Sequence, residues 1–306
     1  MHGFLNIHKA AGMTSHDVVA RVRRLVGRKV KVGHAGTLDP AATGVLPVAI
    51  GQATRLIEYL ADARKGYRAT VALGITTSTD DAEGDLLTRQ PIPPLDGVAL
   101  EAALAPMRGS ILQVPPMYAA LHHNGQRLYD LARAGQIVER APRSVTIYQL
   151  ELLAWNPATG QLTLDIACSK GTYIRALARD LGVALGCGAH LAALQRTFVG
   201  YFGLATAVPL EVLQAAESLL PYLLAPDVAV ADWPALTLNA AQVQQVLHGN
   251  MLNLPIGTPD QVRVHTPPPQ SHLLALLQRN PDPPCWWKPL KVLAEIAVPP
   301  QAGERG

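Results

Sequence analysis

The stretch GHAGTLDPAATGVLP, residues 33–47, places one acid, Asp39, among small and apolar residues. An Asp-Pro pair is commonly a helix cap or a turn. The flanking Gly and Ala residues, however, have little or no side chain, which leaves room for a bulky group to approach the backbone closely. An acid under such cover either has a raised pKa or is held ionised by a cation. Because a nucleophilic acid must stay ionised, the stretch predicts a substrate-facing carboxylate with a cation from a distant segment.

Candidates for that cation and for aromatic contacts occur in three further stretches: KGYRATVALG (65–74) with Tyr67, SKGTYIRALARDLG (169–182) with Lys170, Tyr173 and Arg175, and LNIHKAAGMTSHDVV (5–19) with Lys9. Arg175 is the best candidate for the cation, because a guanidinium stays charged and can hold a carboxylate through two hydrogen bonds. Tyr67 and Tyr173, if they lie beside a basic surface, are suited to stack on a base extruded from RNA.

The charge distribution favours a polyanionic partner. The 306-residue chain has a net charge of only +3, yet residues 1–200 hold 21 Lys and Arg against 15 Asp and Glu. Residues 201–306 hold 5 against 8, so the tail is acidic. The basic residues concentrate in RVRRLVGRKVK (21–31), and we expect contacts with a nucleic-acid backbone from Arg21, Arg24, Lys29 and Lys31.

The pattern of apolar residues predicts an α+β protein with a mixed sheet and helices packed on it. Helical spacing occurs in SHDVVARVRRLV (15–26), behind a possible Ser15 cap, and in residues 53–60 and 172–186. Alternating, β-rich segments predict strands at 67–75, 142–155 and 161–169. The acidic segment TTSTDDAEGD (76–85) does not fit a calcium-binding loop and is interpreted as a solvated turn. After about residue 225, proline-broken apolar runs predict a small β-rich appendage.

Several kinds of protein are disfavoured by the composition. The cysteines Cys168, Cys187 and Cys285 are far apart and odd in number, which argues against a disulfide framework or zinc site and is typical of a reducing cytoplasm. The chain lacks a recognisable signal peptide and an apolar run of about 20 residues, so we expect no membrane association. Phosphate-binding glycine loops and metal-ligand spacings are also missing, so we expect chemistry without a cofactor or a metal.

In their order and spacing, the four stretches resemble the TruB family of tRNA pseudouridine synthases. GHAGTLDPAATGVLP is similar to the family pattern GHxGTLDPxAxGxLP, and SKGTYIRALARDLG is similar to SxGTYIRxLxxDLG. KGYRA matches the family's K-x-Y-x motif, and HKAAGMTSHDVV resembles its DKPxGxTSxxVV opening. The resemblance covers roughly residues 4–225, including the segment PPMYAALHHNGQRLYDLARAG (115–135). In HLAALQRTFVG (190–200), Gln195 replaces an arginine that is common in the family, and Arg196 follows it.

The resemblance implies a pseudouridine synthase fold, with a mixed, largely antiparallel sheet, over residues 1–232. It also implies a PUA-like β-barrel over residues 233–306, which we expect to add little electrostatic affinity for RNA. It implies a monomeric enzyme that converts the uridine at position 55, in the T loop of tRNA, to pseudouridine. It also assigns a role to each matching residue: Asp39 as nucleophile, Arg175 as its cation, Tyr67 stacked on the flipped uracil, Tyr173 in the pocket, His34 against the T loop, and Lys170 and Lys9 as backbone or structural contacts.

Two other hypotheses remain open. A tRNA-binding folding factor would use the same basic, aromatic groove without chemistry. A glycoside hydrolase-like enzyme would need a second carboxylate across the bond, and Asp165 and Asp180 are the acids near the other motifs. The first chemical step is open as well, since Asp39 could attack the ribose C1′, attack the base C6, or act after removal of a 2′ proton.

Overall fold

The computed structural model describes residues 1–118, 122–123, 126–127, 136, 138–254, 260–269, 271–283 and 285–293. The α-helices are Ser15–Val26, Ile57–Ala61, Gly97–Leu104, Ile174–Ala184, Leu210–Ala215 and Ala240–Leu247. Short 3-10 helices occur at Gly51–Leu56, Ala105–Met107, Leu204–Thr206, Leu220–Tyr222 and Pro226–Val230. The segment at 115–135 that carries part of the family resemblance lies largely outside the described residues.

The strands, in chain order, are β1 (Gly3–Lys9), β2 (Val32–His34), β3 (Thr43–Ile50), β4 (Lys65–Leu73), β5 (Ile75–Thr77), β6 (Leu86–Arg89), β7 (Gly109–Gln113), β8 (His122–His123), β9 (Gln126–Arg127), β10 (Arg143–Asn156), β11 (Gln161–Cys168), β12 (Ala189–Val199), β13 (Phe202–Gly203), β14 (Val208–Pro209), β15 (Leu223–Leu224), β16 (Ala235–Thr237), β17 (Leu252–Asn253), β18 (Gln261–His265), β19 (Leu273–Arg279) and β20 (Trp286–Val292).

An 11-stranded mixed sheet forms the main body, in the order β14-β1-β3-β12-β4-β11-β10-β7, with β2, β13 and β15 paired at its sides. All of its pairs are antiparallel except β1 with β14 and β3 with β12. The predicted α+β class with a largely antiparallel sheet is therefore confirmed. The parallel β3–β12 pair matters most for function, because it joins the segment after Asp39 to the segment of Arg196.

Helices cover the sheet through their apolar faces. In Ser15–Val26 the buried residues include Val18, Val19 and Val22, which share one helical face and pack with β1 and β3. Ile174–Ala184 packs with β4 and β11, whose buried side chains alternate along the strand with a period of two. The sequence patterns thus position these two helices, and with them the residues of the site.

A second, five-stranded sheet follows in the order β16-β18-β19-β20-β17. It matches the β-rich appendage predicted in this region, and residues 226–234, before β16, form the linker to it. Leu273, Leu276 and Leu293 of this part pack in one buried cluster with Phe4 and Val45 of the main body. A division into residues 1–232 and 233–306 remains a proposal, and the two parts share apolar contacts across it. No helix in the described part of the chain is both long enough and apolar enough to cross a membrane.

Several predicted elements differ in detail. The cap of the first helix is Thr14, not Ser15, because Thr14 forms a reciprocal capping box with Asp17. Residues 53–60 are not one helix but the end of the 3-10 helix Gly51–Leu56 followed by Ile57–Ala61. The predicted helix 172–186 is shorter, since it starts at Ile174 and ends at Ala184.

Candidate active site

Arg196 holds the loop that carries Asp39. Its guanidinium donates hydrogen bonds to the carbonyl oxygens of Gly36 (3.1 Å), Thr37 (3.2 Å) and Val45 (2.7 Å). Arg196 is only 1% exposed, so its charged guanidinium lies inside the protein and binds protein groups, not solvent. Because buried carbonyls need donors and a buried guanidinium needs acceptors, each satisfies the other. The backbone before and after Asp39 is thereby fixed.

Lys9 and Ser15 hold the same loop at the two residues next to Asp39. The Lys9 ammonium donates to the carbonyl oxygen of Pro40 at 3.0 Å and to two carbonyls of its own loop. The Ser15 hydroxyl accepts from the Leu38 N–H at 2.9 Å, which explains why Ser15 does not cap its helix. Lys9 is fully buried, and burial is the main cause of its lowered pKa. The expectation that Lys9 binds substrate is therefore corrected: of its two predicted roles, the structural one applies.

Asp39 and Arg175 meet at the centre of the site. Arg175 Nε lies 3.2 Å from Asp39 Oδ2, and the Asp39 side chain is 42% exposed whereas that of Arg175 is only 10% exposed. Among the described residues, no hydrogen bond is made to Asp39 Oδ1. The predicted ion pair between Asp39 and Arg175 is thus present, and part of the Asp39 carboxylate remains exposed.

The acidic turn 76–85 contributes a second carboxylate to Arg175. Arg175 Nη1 lies 3.4 Å from Asp81 Oδ2, and Nη2 donates to the Tyr118 carbonyl oxygen at 2.9 Å. One helical turn later, Arg179 pairs with Asp80 at 3.0 Å. The interpretation of this segment as a solvated turn is therefore wrong for two of its acids, because helix Ile174–Ala184 presents two arginines to it.

Tyr67 and Tyr173 lie at one cleft with Asp39. The cleft has a volume of about 340 Å³, and its lining includes Gly36, Asp39, Lys65, Tyr67, Lys170, Tyr173, Arg175, Leu194 and Arg196. Burial raises the pKa of both tyrosines, so both phenols are neutral at physiological pH. The cleft therefore combines one carboxylate with aromatic and apolar surface, which suits a single nucleobase.

Gln113 positions the backbone at Tyr173. Its side-chain amide accepts from the Tyr173 N–H at 2.8 Å and donates to the Tyr173 carbonyl oxygen at 3.1 Å. Gln113 is 2% exposed, and it lies at the end of β7. This pair fixes the strand-to-helix turn immediately before Arg175.

The remaining predicted residues lie at the rim of the cleft or outside it. Lys170 lines the rim and pairs with Asp62 at 2.6 Å, with both side chains largely exposed. His34 is half-buried, does not line the cleft, and has its ring centre 5.3 Å from that of His16. Burial lowers the pKa of His34. The four basic residues predicted to contact RNA in the run 21–31 also do not line the cleft. Arg24, Lys29 and Lys31 are exposed, and Arg21 is half-buried.

The small residues around Asp39 serve packing more than access. A Cβ on Gly44, which has φ +100°, would come within 2.2 Å of the Arg196 carbonyl oxygen. Ala35 and Ala42 are buried in apolar clusters. Gly36, by contrast, lines the cleft, as expected for a position that a substrate approaches. Close approach of a substrate at Gly36 therefore stays a prediction, whereas Gly44 is glycine because a side chain there would collide with the Arg196 backbone.

Two protein-family models together match residues 23–230 of the chain. The model of the TruB family pseudouridylate synthase N-terminal domain matches residues 23–174, and that of the tRNA pseudouridylate synthase B C-terminal domain matches residues 175–230. The chain belongs to the TruB family of pseudouridylate synthases. The resemblance of the chain to this family is therefore confirmed. The second matched segment begins at Arg175, inside the helix that carries the cation.

Relatives in the TruB family match most of the chain. The tRNA pseudouridine synthase B of Syntrophomonas wolfei is 43% identical over 92% of this chain and 94% of the relative. That of Gloeobacter violaceus is 50% identical over 81% and 86%, respectively. Among solved structures, a Cbf5–Nop10–Gar1 complex matches with a TM-score of 0.67 and 27% identity, over 90% of this chain and 78% of that one. A structure of an H/ACA ribonucleoprotein bound to a substrate RNA containing 2'-deoxyuridine matches with a TM-score of 0.66 and 27% identity, over the same shares.

Three residues of this TruB-family site were not predicted to act there: Arg196, Asp81 and Gln113. The sequence held one indication of the role of Arg196. It lies in a β-rich segment, next to Gln195, a position where the family commonly carries an arginine. Asp81 was hidden in a polar turn, and nothing in the local sequence indicates that Gln113 faces Tyr173. Among the described residues, no group of three or more His, Cys, Asp or Glu is arranged to hold a metal ion.

Proposed function

We propose that this protein isomerises uridine to pseudouridine at position 55, in the T loop of tRNA, with Asp39 as the nucleophile. The observation that carries the proposal is the half-open Asp39 carboxylate, paired with Arg175 at 3.2 Å on the wall of an aromatic cleft. Its relatives named tRNA pseudouridine synthase B support tRNA as the substrate.

The reaction breaks the bond between uracil N1 and ribose C1′, rotates the base, and forms a bond between C5 and C1′. One proton leaves C5 and one is gained at N1, so the product is an isomer and the reaction needs no oxidant, reductant or energy source. Asp39 supplies the electron pair that bonds to the nucleoside and takes it back when the new bond is complete. Arg175 supplies the counter-charge and fixes the carboxylate through Oδ2, which leaves Oδ1 as the oxygen that reacts with the nucleoside.

The uridine must leave its stack to reach Asp39. Base flipping costs a few kcal/mol, and stacking on an aromatic side chain returns about 1–3 kcal/mol per base. Tyr67, 8% exposed and fixed beside Arg196, is the rigid surface on which the uracil stacks. Tyr173 places a neutral hydroxyl at the same cleft, where it can exchange hydrogen bonds with the base or relay the C5 proton.

RNA contacts outside the cleft would come from the front part of the chain. The exposed basic residues at 21–31 are suited to phosphate contacts. His34, near the surface beside His16, is suited to press against the T loop. We further propose that the protein acts as a cytoplasmic monomer, and a single 32.6 kDa species in light scattering would support that state.

The proposal is tested with a full-length tRNA transcript labelled with tritium at C5 of uridine. We expect the protein to release one equivalent of tritium, and to release none from a transcript with cytidine at position 55. Binding of the transcript without tritium release would instead favour a folding factor without chemistry. Release that persists after the cytidine substitution would contradict the assigned position.

A further inference from the structure

A second cleft lies beside the catalytic one, and the mechanism does not use it. Its volume is about 660 Å³, and its walls come from helix Ile57–Ala61, the end of β12 and the linker before β16. Four aromatic residues line it: Tyr59, Phe198, Tyr201 and Trp233. Its charged lining residues are Asp62, Arg64 and Asp232.

The two clefts are neighbours. Ala61 lines the catalytic cleft, whereas Asp62, the next residue, lines the second one. Asp62 is also bound to Lys170, which lies on the rim of the catalytic cleft, at 2.6 Å. The second cleft therefore lies beside the cleft that the proposed function assigns to the uridine.

The aromatic surface of the second cleft is built to stack. Tyr59 and Trp233 fix each other in an edge-to-face pair with ring centres 5.2 Å apart. Tyr201, by contrast, is 59% exposed, so a large part of its aromatic ring faces water. Arg64 lies over the Tyr148 ring at 4.1 Å, so its cation is held at the edge of the cleft. Exposed aromatic rings beside a fixed cation are the features that bind single-stranded nucleic acid.

The carboxylates indicate which base fits. Asp62 is already paired with Lys170, whereas Asp232 is exposed and makes no ion pair within the described residues. A carboxylate accepts hydrogen bonds only, so it repels a phosphate and favours a base edge rich in N–H donors. Guanine presents adjacent N1–H and N2–H donors on its Watson–Crick edge, which one carboxylate can accept together.

We propose that this second cleft binds an unpaired guanine nucleotide of the same RNA, and the proposal rests on the proposed function because that RNA is the substrate. The guanine stacks on Tyr201, its Watson–Crick edge faces Asp232, and its phosphate lies at Arg64. The site adds affinity for the RNA and takes no part in the chemistry at Asp39.

Two substitutions at Tyr201 test the stacking. Tyr201→Ala should raise the Kd for a full-length tRNA transcript by about 5- to 150-fold, the range expected for one lost base stack, and Tyr201→Phe should leave it near the wild-type value. The single-turnover rate at saturating enzyme should stay unchanged in both. Leu220→Ala, a similarly exposed residue outside both clefts, is the control and should not change the Kd.

The outcomes separate this proposal from the proposed function. An unchanged Kd in Tyr201→Ala, with the wild type still isomerising the transcript, would overturn the second cleft and leave the enzyme assignment intact. A wild type that binds the transcript but does not isomerise it would contradict the enzyme assignment only.

Cross-linking identifies the base. Ultraviolet irradiation of the complex, followed by mass spectrometry, should join the Tyr201 peptide to a guanosine, and Asp232→Asn should weaken binding of that transcript but not of one with adenosine at the cross-linked position. A cross-link to a pyrimidine, or an Asp232→Asn effect that is equal for both transcripts, would overturn the assignment to guanine.

Discussion

Arg175 Nε lies 3.2 Å from Asp39 Oδ2, although a long stretch of chain separates the two residues. The same guanidinium also bonds to Asp81 and to the Tyr118 carbonyl oxygen. Its planar fork therefore fixes the direction of the Asp39 carboxylate as well as supplying charge.

Arg175→Lys tests this geometric role. Lysine keeps the charge but cannot hold Asp39, Asp81 and a carbonyl from one planar group, so we expect the single-turnover rate to fall by about tenfold or more. The Kd for tRNA should change by less than about threefold, since total charge is kept. Rapid-quench tritium release measures the rate. A lysine variant with the wild-type rate would mean that charge alone is sufficient.

Asp81→Asn should lower the rate by about tenfold, because Arg175 loses one of the two carboxylates that orient it. Asp85→Asn is the matched control, since Asp85 is an exposed acid of the same turn with no ion pair among the described residues. Tritium release at saturating enzyme compares the two. Equal rates in both variants would show that Asp81 does not position Arg175.

Arg196→Met should lower the free energy of unfolding by about 3 kcal/mol, because three carbonyl oxygens of the Asp39 loop lose their donor. Urea denaturation followed by circular dichroism measures this loss. Gln195→Ala, at the preceding and less buried position, should cost less than about 1 kcal/mol. A Met variant as stable as the wild type would contradict the role assigned to Arg196.

Asp227 gives a pH-dependent prediction for the contact between the linker and the second sheet. Its carboxylate lies 3.1 Å from both Arg263 and His265, and the hydrogen bond from His265 is the main cause of its lowered pKa. Because the folded-state pKa lies below the ordinary value of 3.8, the stabilisation is complete above about pH 5 and is lost as the pH falls through the folded-state pKa.

Thermal unfolding of Asp227→Asn between pH 3 and pH 7 checks this contribution. The variant should be less stable than the wild type by about 1–3 kcal/mol at pH 7, and the difference should shrink as the pH falls below 3.8 toward the folded-state pKa. A difference that stays constant with pH would mean that Asp227 stabilises the fold by its shape and not by its charge.

The central residues were predictable because they lie in motifs next to strand ends. Asp39, Tyr67, Tyr173 and Arg175 all reach one cleft, as their patterns predicted. Main-sheet strands were also clear, since burial on one side produces alternation that is visible in the sequence.

The supporting contacts were not predictable, since each depends on which elements meet in space. Lysine and arginine are usually exposed, so a sequence does not reveal that Lys9 and Arg196 are buried against carbonyl oxygens. Likewise, a polar turn such as 76–85 looks solvated until a helix places two arginines beside it. The Gly44 contact with Arg196 depends on the parallel pairing of β3 with β12, which local patterns do not encode.

The most direct test of the proposed function is Asp39→Asn, which keeps the size of the side chain and removes the negative charge that makes its oxygen a nucleophile. We predict that tritium release from a labelled T stem-loop transcript falls below detection, while the Kd for the same RNA stays within about threefold of the wild type. An Asn variant that still isomerises uridine, or one that loses binding as fully as turnover, would contradict Asp39 as the nucleophile.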